Sequence, residues 1–243
     1  MAKLARMTAT LLAFDTSTES MAVALGSARG TSAWNGPGGA LASATLLPTV
    51  RALLREHALG VSDLDAIAFG AGPGAFTGLR TACAVAQGLA FGAARPVLPI
   101  DSLLIVAEDA RSQQGATNEL DIGVAMDARM GELYAARYHW DGRRWRVVRG
   151  PVLCGPDDVA ALWGGSVPAR IAGSGLALLP PPLRAAAAGA LAEPADRAGA
   201  LLRLAQWQYN DGASVAPAQA LPVYLRDKVA LTTQERAARR VAP

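Results

Sequence analysis

Two hydrophobic periods alternate along this chain. Residues 10–14 form an unbroken apolar run that ends in the polar cluster Asp15-Thr16-Ser17-Thr18-Glu19, and residues 21–25 resume it before Gly26. Residues 31–34 add a third short run, so strands joined as a hairpin are predicted to open the domain. Gly36-Pro37-Gly38-Gly39 breaks the pattern. Leu46, Val50, Leu53 and Leu54 then recur at helical spacing, which predicts an amphipathic helix over residues 41–59 with Pro48 in or near its first turn. A strand over 64–69 runs into Gly70-Ala71-Gly72-Pro73-Gly74, and a helix rich in small residues follows over 79–93. A strand at 96–100 leads to a helix through residue 110 that Asp101 or Ser102 can cap. Strands alternating with helices favour an α/β fold.

The polar stretch 111–119 reads as a linker. It divides the chain into a first lobe over residues 1–110, a second over 111–226 whose last segment packs back on the first, and a basic tail over 227–243. The second lobe opens with strands at 121–126 and 132–140, an Asp141-Gly142 hairpin turn and a return strand at 143–149. A short helix from Pro156, a strand at 169–172 halted by Gly173-Ser174-Gly175, and helices at 185–191 and 198–209 complete it. Each series opens with a hairpin, consistent with two related lobes.

Charge and composition narrow the chemistry. The net charge of the 243 residues is +3, and the stretch 226–243 alone, with five basic and two acidic residues, carries that excess. A chain-wide basic surface for nucleic acid is therefore not supported. Lys3 and Lys228 are the only lysines and neither follows a glycine-rich loop, so a Walker-type site is absent. His57, His139, Cys83 and Cys154 show no metal-ligand spacing, and no Ser/His/Asp or Cys/His set emerges. No metal site and no catalytic residue is assigned. The lack of a cysteine framework, a secretory segment or a membrane-length apolar run leads to an expected cytoplasmic location without membrane contact.

Four stretches remain as candidates, each with a plain structural reading. Asp15-Thr16-Ser17-Thr18 is either a loop that holds phosphate or a polar hairpin turn. Gly70 to Arg80 feeds a helix N-terminus, where free N–H groups favour an anion; its Pro73 and Phe76-Thr77-Gly78 depart from a Rossmann spacing, and it also suits a sharp turn that seats the helix on the sheet. Asp127, Arg129, Gly131 and Glu132 read as a salt-bridged structural turn between two strands. Arg143, Arg144, Arg146 and Arg149 lie on one hairpin, which suits RNA phosphate or a solvated edge strand.

Taken in order, Leu12-Ala13-Phe14-Asp15-Thr16-Ser17-Thr18-Glu19, Gly72-Pro73-Gly74-Ala75-Phe76-Thr77-Gly78-Leu79-Arg80, Gln87-Gly88-Leu89-Ala90, Asp127-Ala128-Arg129-Met130-Gly131-Glu132 and Pro222-Val223-Tyr224-Leu225-Arg226 resemble the TsaB (YeaZ) family, over roughly residues 10–226. The resemblance implies an actin-like, Hsp70-like ATPase-domain fold of two lobes, each a mixed sheet flanked by helices. It implies a phosphate-type loop at Asp15, Thr16, Ser17 and Thr18, with Gly72 and Gly74 beside it, as the nucleotide contacts. It further implies a non-catalytic scaffold in threonylcarbamoyladenosine modification of tRNA. The partners would be a catalytic TsaD-type paralogue and a TsaE-type ATPase, with tRNA reached through the complex and a homodimer when alone. No cofactor is intrinsic, and ATP or ADP belongs to the complex. The catalytic paralogue holds a metal through an HxxxH pair after the strand at 96–100; this chain reads Asp101-Ser102-Leu103-Leu104-Ile105-Val106 and supplies no imidazole. Ala42 and Ala44 stand where the family usually has His and an acid, which makes the first helix more apolar. The expected partner-facing residues are Leu46, Val50 and Leu53 on that helix with Gly78, Ala82, Val85, Ala86 and Leu89 on the next. The rival reading is an independent small-molecule kinase of the actin-like superfamily, with Asp15 holding its metal. A metal-dependent peptidase and a stand-alone RNA-binding module are further alternatives.

Overall fold

The structure, a computed structural model, describes residues 9–113, 115, 118–186 and 195–226. β1 (Leu11–Asp15), β2 (Ser20–Ser27) and β3 (Gly30–Pro37) form an antiparallel meander, as the three apolar runs predict. After α1 (Ala42–Glu56), β4 (Ala66–Gly72) joins β1 in parallel, α2 (Phe76–Ala93) crosses over, and β5 (Val97–Asp101) joins β4 in parallel. The first sheet therefore has the order β3-β2-β1-β4-β5. Next come α3 (Ser102–Gln113), β6 (Leu120–Asp127), β7 (Leu133–Trp140), β8 (Trp145–Cys154), α4 (Val159–Leu162) and β9 (Arg170–Ala172). Their sheet has the order β8-β7-β6-β9, with β6–β7 and β7–β8 antiparallel and β6–β9 parallel. It repeats the first four strands of the first sheet in order and sense. The two lobes are therefore versions of one unit, the actin-like arrangement that the resemblance implies.

Both faces of the first sheet are covered. Phe14, Val23, Ile67 and Phe69 meet α1 and α2 through Leu46, Val50, Ala82 and Ala86. The other face is lined by small residues, Ala13, Ala22, Ala24, Ala66 and Ala68, and against it lies α6 (Arg197–Asn210) through Ala198, Leu201 and Ala205. Alanines on the sheet allow this close approach of a helix. α3 packs on the second sheet through Leu103, Val106 and Ala107 against Val124, Ala136 and Tyr138.

Element bounds differ from the periodicity in a few places. α2 starts at Phe76, because Ala75 is still extended at φ −62°, ψ 124°. α3 continues to Gln113, into the stretch read as a linker, and Pro48 lies inside α1. β8 reaches Cys154. A helix, α5, occupies Pro181–Ala186; most of the helix expected at 185–191 and the tail at 227–243 lie outside the described residues. Among the described residues no helix is long and apolar enough to cross a membrane.

Candidate functional site

The end of β1 and the glycine loop after β4 lock onto each other. Asp15 is 0% exposed. Its Oδ1 accepts the Ser17 N–H at 2.7 Å, and its Oδ2 accepts the Ser17 hydroxyl at 3.1 Å. Arg197, from the first turn of α6, donates to the same Oδ2 through Nη2 at 2.5 Å and Nε at 3.1 Å. Thr16 gives its hydroxyl to the Gly78 carbonyl at 2.7 Å, and the Ala75 N–H bonds the Ser17 carbonyl at 2.8 Å. Glycine is required at this seam: a Cβ on Gly78 would lie 1.8 Å from Thr16 O, and one on Gly70 would lie 2.4 Å from the Asp15 carboxyl carbon.

The six expected nucleotide contacts divide between the interior and the cleft. Asp15 and Thr16 are buried and committed to Arg197, Ser17 and Gly78. Gly72 donates its N–H to Ser102 Oγ at 3.0 Å and is backed by the Val223 carbonyl, 2.8 Å from where its Cβ would be. Ser17, Thr18 and Gly74 do line the cleft between the lobes.

That cleft holds about 540 Å³. Its first wall is the β1–β2 loop and the start of α2, its floor is α3 with Leu103, Val106 and Asp109, and its second wall is the β6–β7 turn with Met126, Met130 and Tyr134. Asp109 is 1% exposed; its Oδ1 accepts the Asp196 N–H, and its Oδ2 has no partner among the described residues. Burial pushes its carboxyl above the usual carboxylate range, and the Asp196 charge adds to that.

The turn Asp127, Arg129, Gly131, Glu132 is more than a local salt bridge. Asp127 Oδ1 accepts the Arg129 N–H at 2.7 Å, the same side-chain turn that Asp15 and Ser17 make in the first lobe. Arg129, Met130 and Gly131 all have positive φ, at 66°, 58° and 76°. Arg129 reaches across the cleft to Glu19 at 2.9 Å. The C-terminal segment closes the same rim: the Val223 N–H bonds Ala71 O at 2.7 Å, while Arg226 pairs with Glu132 at 2.6 Å and donates to Ala128 O at 3.0 Å. Phe76 and Tyr224 rings meet above it, 5.3 Å apart.

Deeper links join the lobes. Glu108 of α3, 0% exposed, accepts from Arg111, from Arg203 of α6 and from Trp145 Nε1 of β8. Trp140 stacks on Trp207 at 5.2 Å. Asp101, at the end of β5, caps α3 at the Leu103 N–H and accepts the Tyr138 hydroxyl of β7 at 2.5 Å. Burial raises the Asp101 carboxyl, and burial beside that carboxyl raises the Tyr138 phenol well above its ordinary value.

The expected partner face is corrected. Leu46, Val50, Leu53, Ala82 and Ala86 belong to the chain's own core, Gly78 sits against Thr16, and Val85 and Leu89 are half-buried against that core. The outward sides of the same helices carry Ala44, Leu47 and Pro48 on α1, and Thr77, Ala84, Gly88, Phe91 and Gly92 on α2. Leu47 and Phe91 are 44% and 61% exposed, and a Cβ on Gly88 or Gly92 would meet open space. Small residues occur on opposite faces of α2, and periodicity selected the stripe that meets the sheet.

Elsewhere, Ser32 Oγ lies 2.9 Å from His57 Nε2 but donates to Glu56, so the imidazole gives its proton to the hydroxyl. Arg146 of the arginine hairpin pairs with Asp141. Among the described residues no group of three His, Cys, Asp or Glu side chains is arranged to hold a metal.

Sequence reasoning missed Arg197 and Asp109. Both are charges on faces otherwise built from Ala, Leu and Val, and a charge there needs a buried partner.

Comparison with known proteins identifies the lineage. A family model described as "TsaD: tRNA N6-adenosine threonylcarbamoyltransferase" matches residues 41–237. The chain is 34% identical to a protein of Haemophilus influenzae named tRNA threonylcarbamoyladenosine biosynthesis protein TsaB, over 90% of this chain and 94% of that one. The Escherichia coli protein of the same name is also 34% identical, over 90% and 96%. A solved structure described as YeaZ from Pseudomonas aeruginosa superposes with a TM-score of 0.78 at 38% identity, covering 90% of this chain and all of that one. Matched over nearly its whole length by both sequence and structure, the chain belongs to the TsaB (YeaZ) family of tRNA threonylcarbamoyladenosine biosynthesis proteins.

Proposed function

We propose that the chain is a non-catalytic subunit of the machinery that builds threonylcarbamoyladenosine in tRNA, and that it works in the cytoplasm by docking onto a TsaD-type catalytic paralogue. The near full-length similarity to two TsaB proteins carries this reading. The match of a TsaD model to residues 41–237 supports a shared fold with the catalytic subunit. The residues at the paralogue's metal-binding position support the non-catalytic role, because Asp101 caps α3 and Ser102 accepts the Gly72 N–H. Imidazole ligands are missing there, and the groups present already serve the fold.

The docking surface in this reading is the outward side of α1 and α2, where Leu47, Phe91 and the small residues Ala44, Ala84 and Gly88 allow helices of a partner to approach closely. A second copy of the chain uses the same face when the paralogue is absent. A TsaE-type ATPase and the tRNA join the assembled pair. The kinase alternative has less support, since the carboxylate it needs for a metal is held by Arg197.

Depletion of the chain in its native cell, followed by measurement of threonylcarbamoyladenosine in bulk tRNA, tests the role. The modification is expected to fall, and to return with the wild-type chain but not with Gly88→Arg, which is also expected to lose co-purification with the paralogue. Undiminished modification after depletion refutes the role; full rescue by Gly88→Arg refutes the surface.

A further inference from the structure

The fold family implies a nucleotide with its metal in the interlobe cleft, held by the acidic residue that ends β1. The residues of this chain do not fit that group. Asp15 has no face left for a hydrated cation: Arg197 and the Ser17 hydroxyl share Oδ2, the Ser17 N–H holds Oδ1, and Gly70 backs the carboxyl carbon. Four backbone donors of the two loops are turned inward. The Ser17 N–H faces Asp15, the Ser20 N–H faces Thr18 Oγ1, the Gly72 N–H faces Ser102, and the Ala75 N–H faces Ser17 O.

We propose that Arg197 is the resident counter-ion of the β1 loop, an intramolecular replacement for the metal–phosphate group, so that the chain keeps the lobes of an ATPase fold in register without a nucleotide of its own. The position of the guanidinium is strongly determined. Asp196 caps α6 by accepting the Gly199 N–H at 2.9 Å, and the Ala198 N–H bonds Asn35 Oδ1 of β3 at 3.0 Å. These two bonds pin the first turn of α6 to the first sheet, and the Arg197 side chain, 4% exposed, then has one direction to run. Its fork meets Asp15 Oδ2 and Ser17 Oγ together, a planar two-point match that an ammonium group does not reproduce. An ionised carboxylate buried without a partner is costly, and here the chain supplies a cation of its own.

The test uses the purified full chain and reads the melting temperature. A ligand present at a hundred times its Kd raises the melting temperature of a chain this size by about 5–10 °C. Millimolar Mg-ATP or Mg-ADP is expected to leave wild type unmoved. Arg197→Gly is expected to melt lower and to be partly restored by millimolar guanidinium, with no such gain in wild type. Arg197→Lys is expected to melt between wild type and Arg197→Gly. The neutral pair Asp15→Asn/Arg197→Gln is expected to melt above Arg197→Gly and to be insensitive to guanidinium; this arm also decides the matter if Arg197→Gly does not fold. A wild-type shift with Mg-ATP that Asp15→Asn abolishes overturns the proposal. A neutral pair no more stable than the single variant overturns it too.

Discussion

The Tyr138 hydroxyl donates to Asp101 Oδ2 at 2.5 Å, and this bond joins the last strand of the first sheet to the central hairpin of the second. Tyr138 is fully buried and Asp101 half-buried, so water is a poor substitute for the phenol in this bond. Tyr138→Phe is expected to destabilise the chain by about 1–3 kcal/mol, the cost of leaving a buried acceptor unmet. The phenol holds the Asp101 carboxyl down against the upward push of burial, so it stabilises the ionised form. The deficit of the variant should therefore shrink as the pH falls and Asp101 takes up a proton. Urea titrations at several pH values check both size and slope.

Asp109 is raised by burial as Asp101 is, and here the substitution removes the charge itself. Its carboxyl is raised in the folded chain, so its ionisation costs stability as the pH rises through its folded value, and the cost is absent below the ordinary carboxylate range. Asn in its place keeps an oxygen for the Asp196 N–H and removes the charge. Asp109→Asn is expected to gain about 1 kcal/mol at neutral pH, with the gain vanishing below about pH 4. Chemical denaturation of both proteins across that range measures it.

Gly78 and Gly88 lie on one helix and predict opposite outcomes. Gly78→Ala drives a methyl group against Thr16 O and displaces the Thr16 hydroxyl from the Gly78 carbonyl, at a cost of about 3 kcal/mol. Gly88→Ala adds its methyl group in open space within a helix, and the isolated chain should gain about 0.5–1 kcal/mol. Melting curves of the two variants separate packing from propensity.

Glu108 holds two guanidinium groups and an indole from three elements. Glu108→Gln leaves Arg111 and Arg203 without their shared anion in a nearly closed site. The expected loss is about 3 kcal/mol. Near-ultraviolet circular dichroism should change as well, since the Trp145 indole, beside Trp140, bonds the altered group.

The strand plan was legible because uninterrupted apolar runs such as Leu11 to Phe14 suit a sheet buried on both faces. The faces of α2 were not. Ala82 and Ala86 turn inward while Ala84 and Gly88 turn outward, and a helix with small residues on both sides gives periodicity nothing to choose by. The ionic contacts were harder still. Asp15 and Arg197 stand 182 residues apart, and only the return of α6 to the first sheet brings them together. The β6–β7 turn was found by its charges, but its role was not: Arg129 and Met130 hold positive φ without being glycine, while Glu19 and Arg226 tie that turn from across the cleft.

The position of α6 also sets the order in which the molecule can be finished. The alanine face of the first sheet waits for Ala198, Leu201 and Ala205, which leave the ribosome long after β1 to β5. Until then a nascent chain exposes a bare apolar sheet, and the N-terminal half cannot mature as it is made. The lobe begun first is completed last, so a chain interrupted between β5 and α6 keeps one apolar face of its first sheet uncovered.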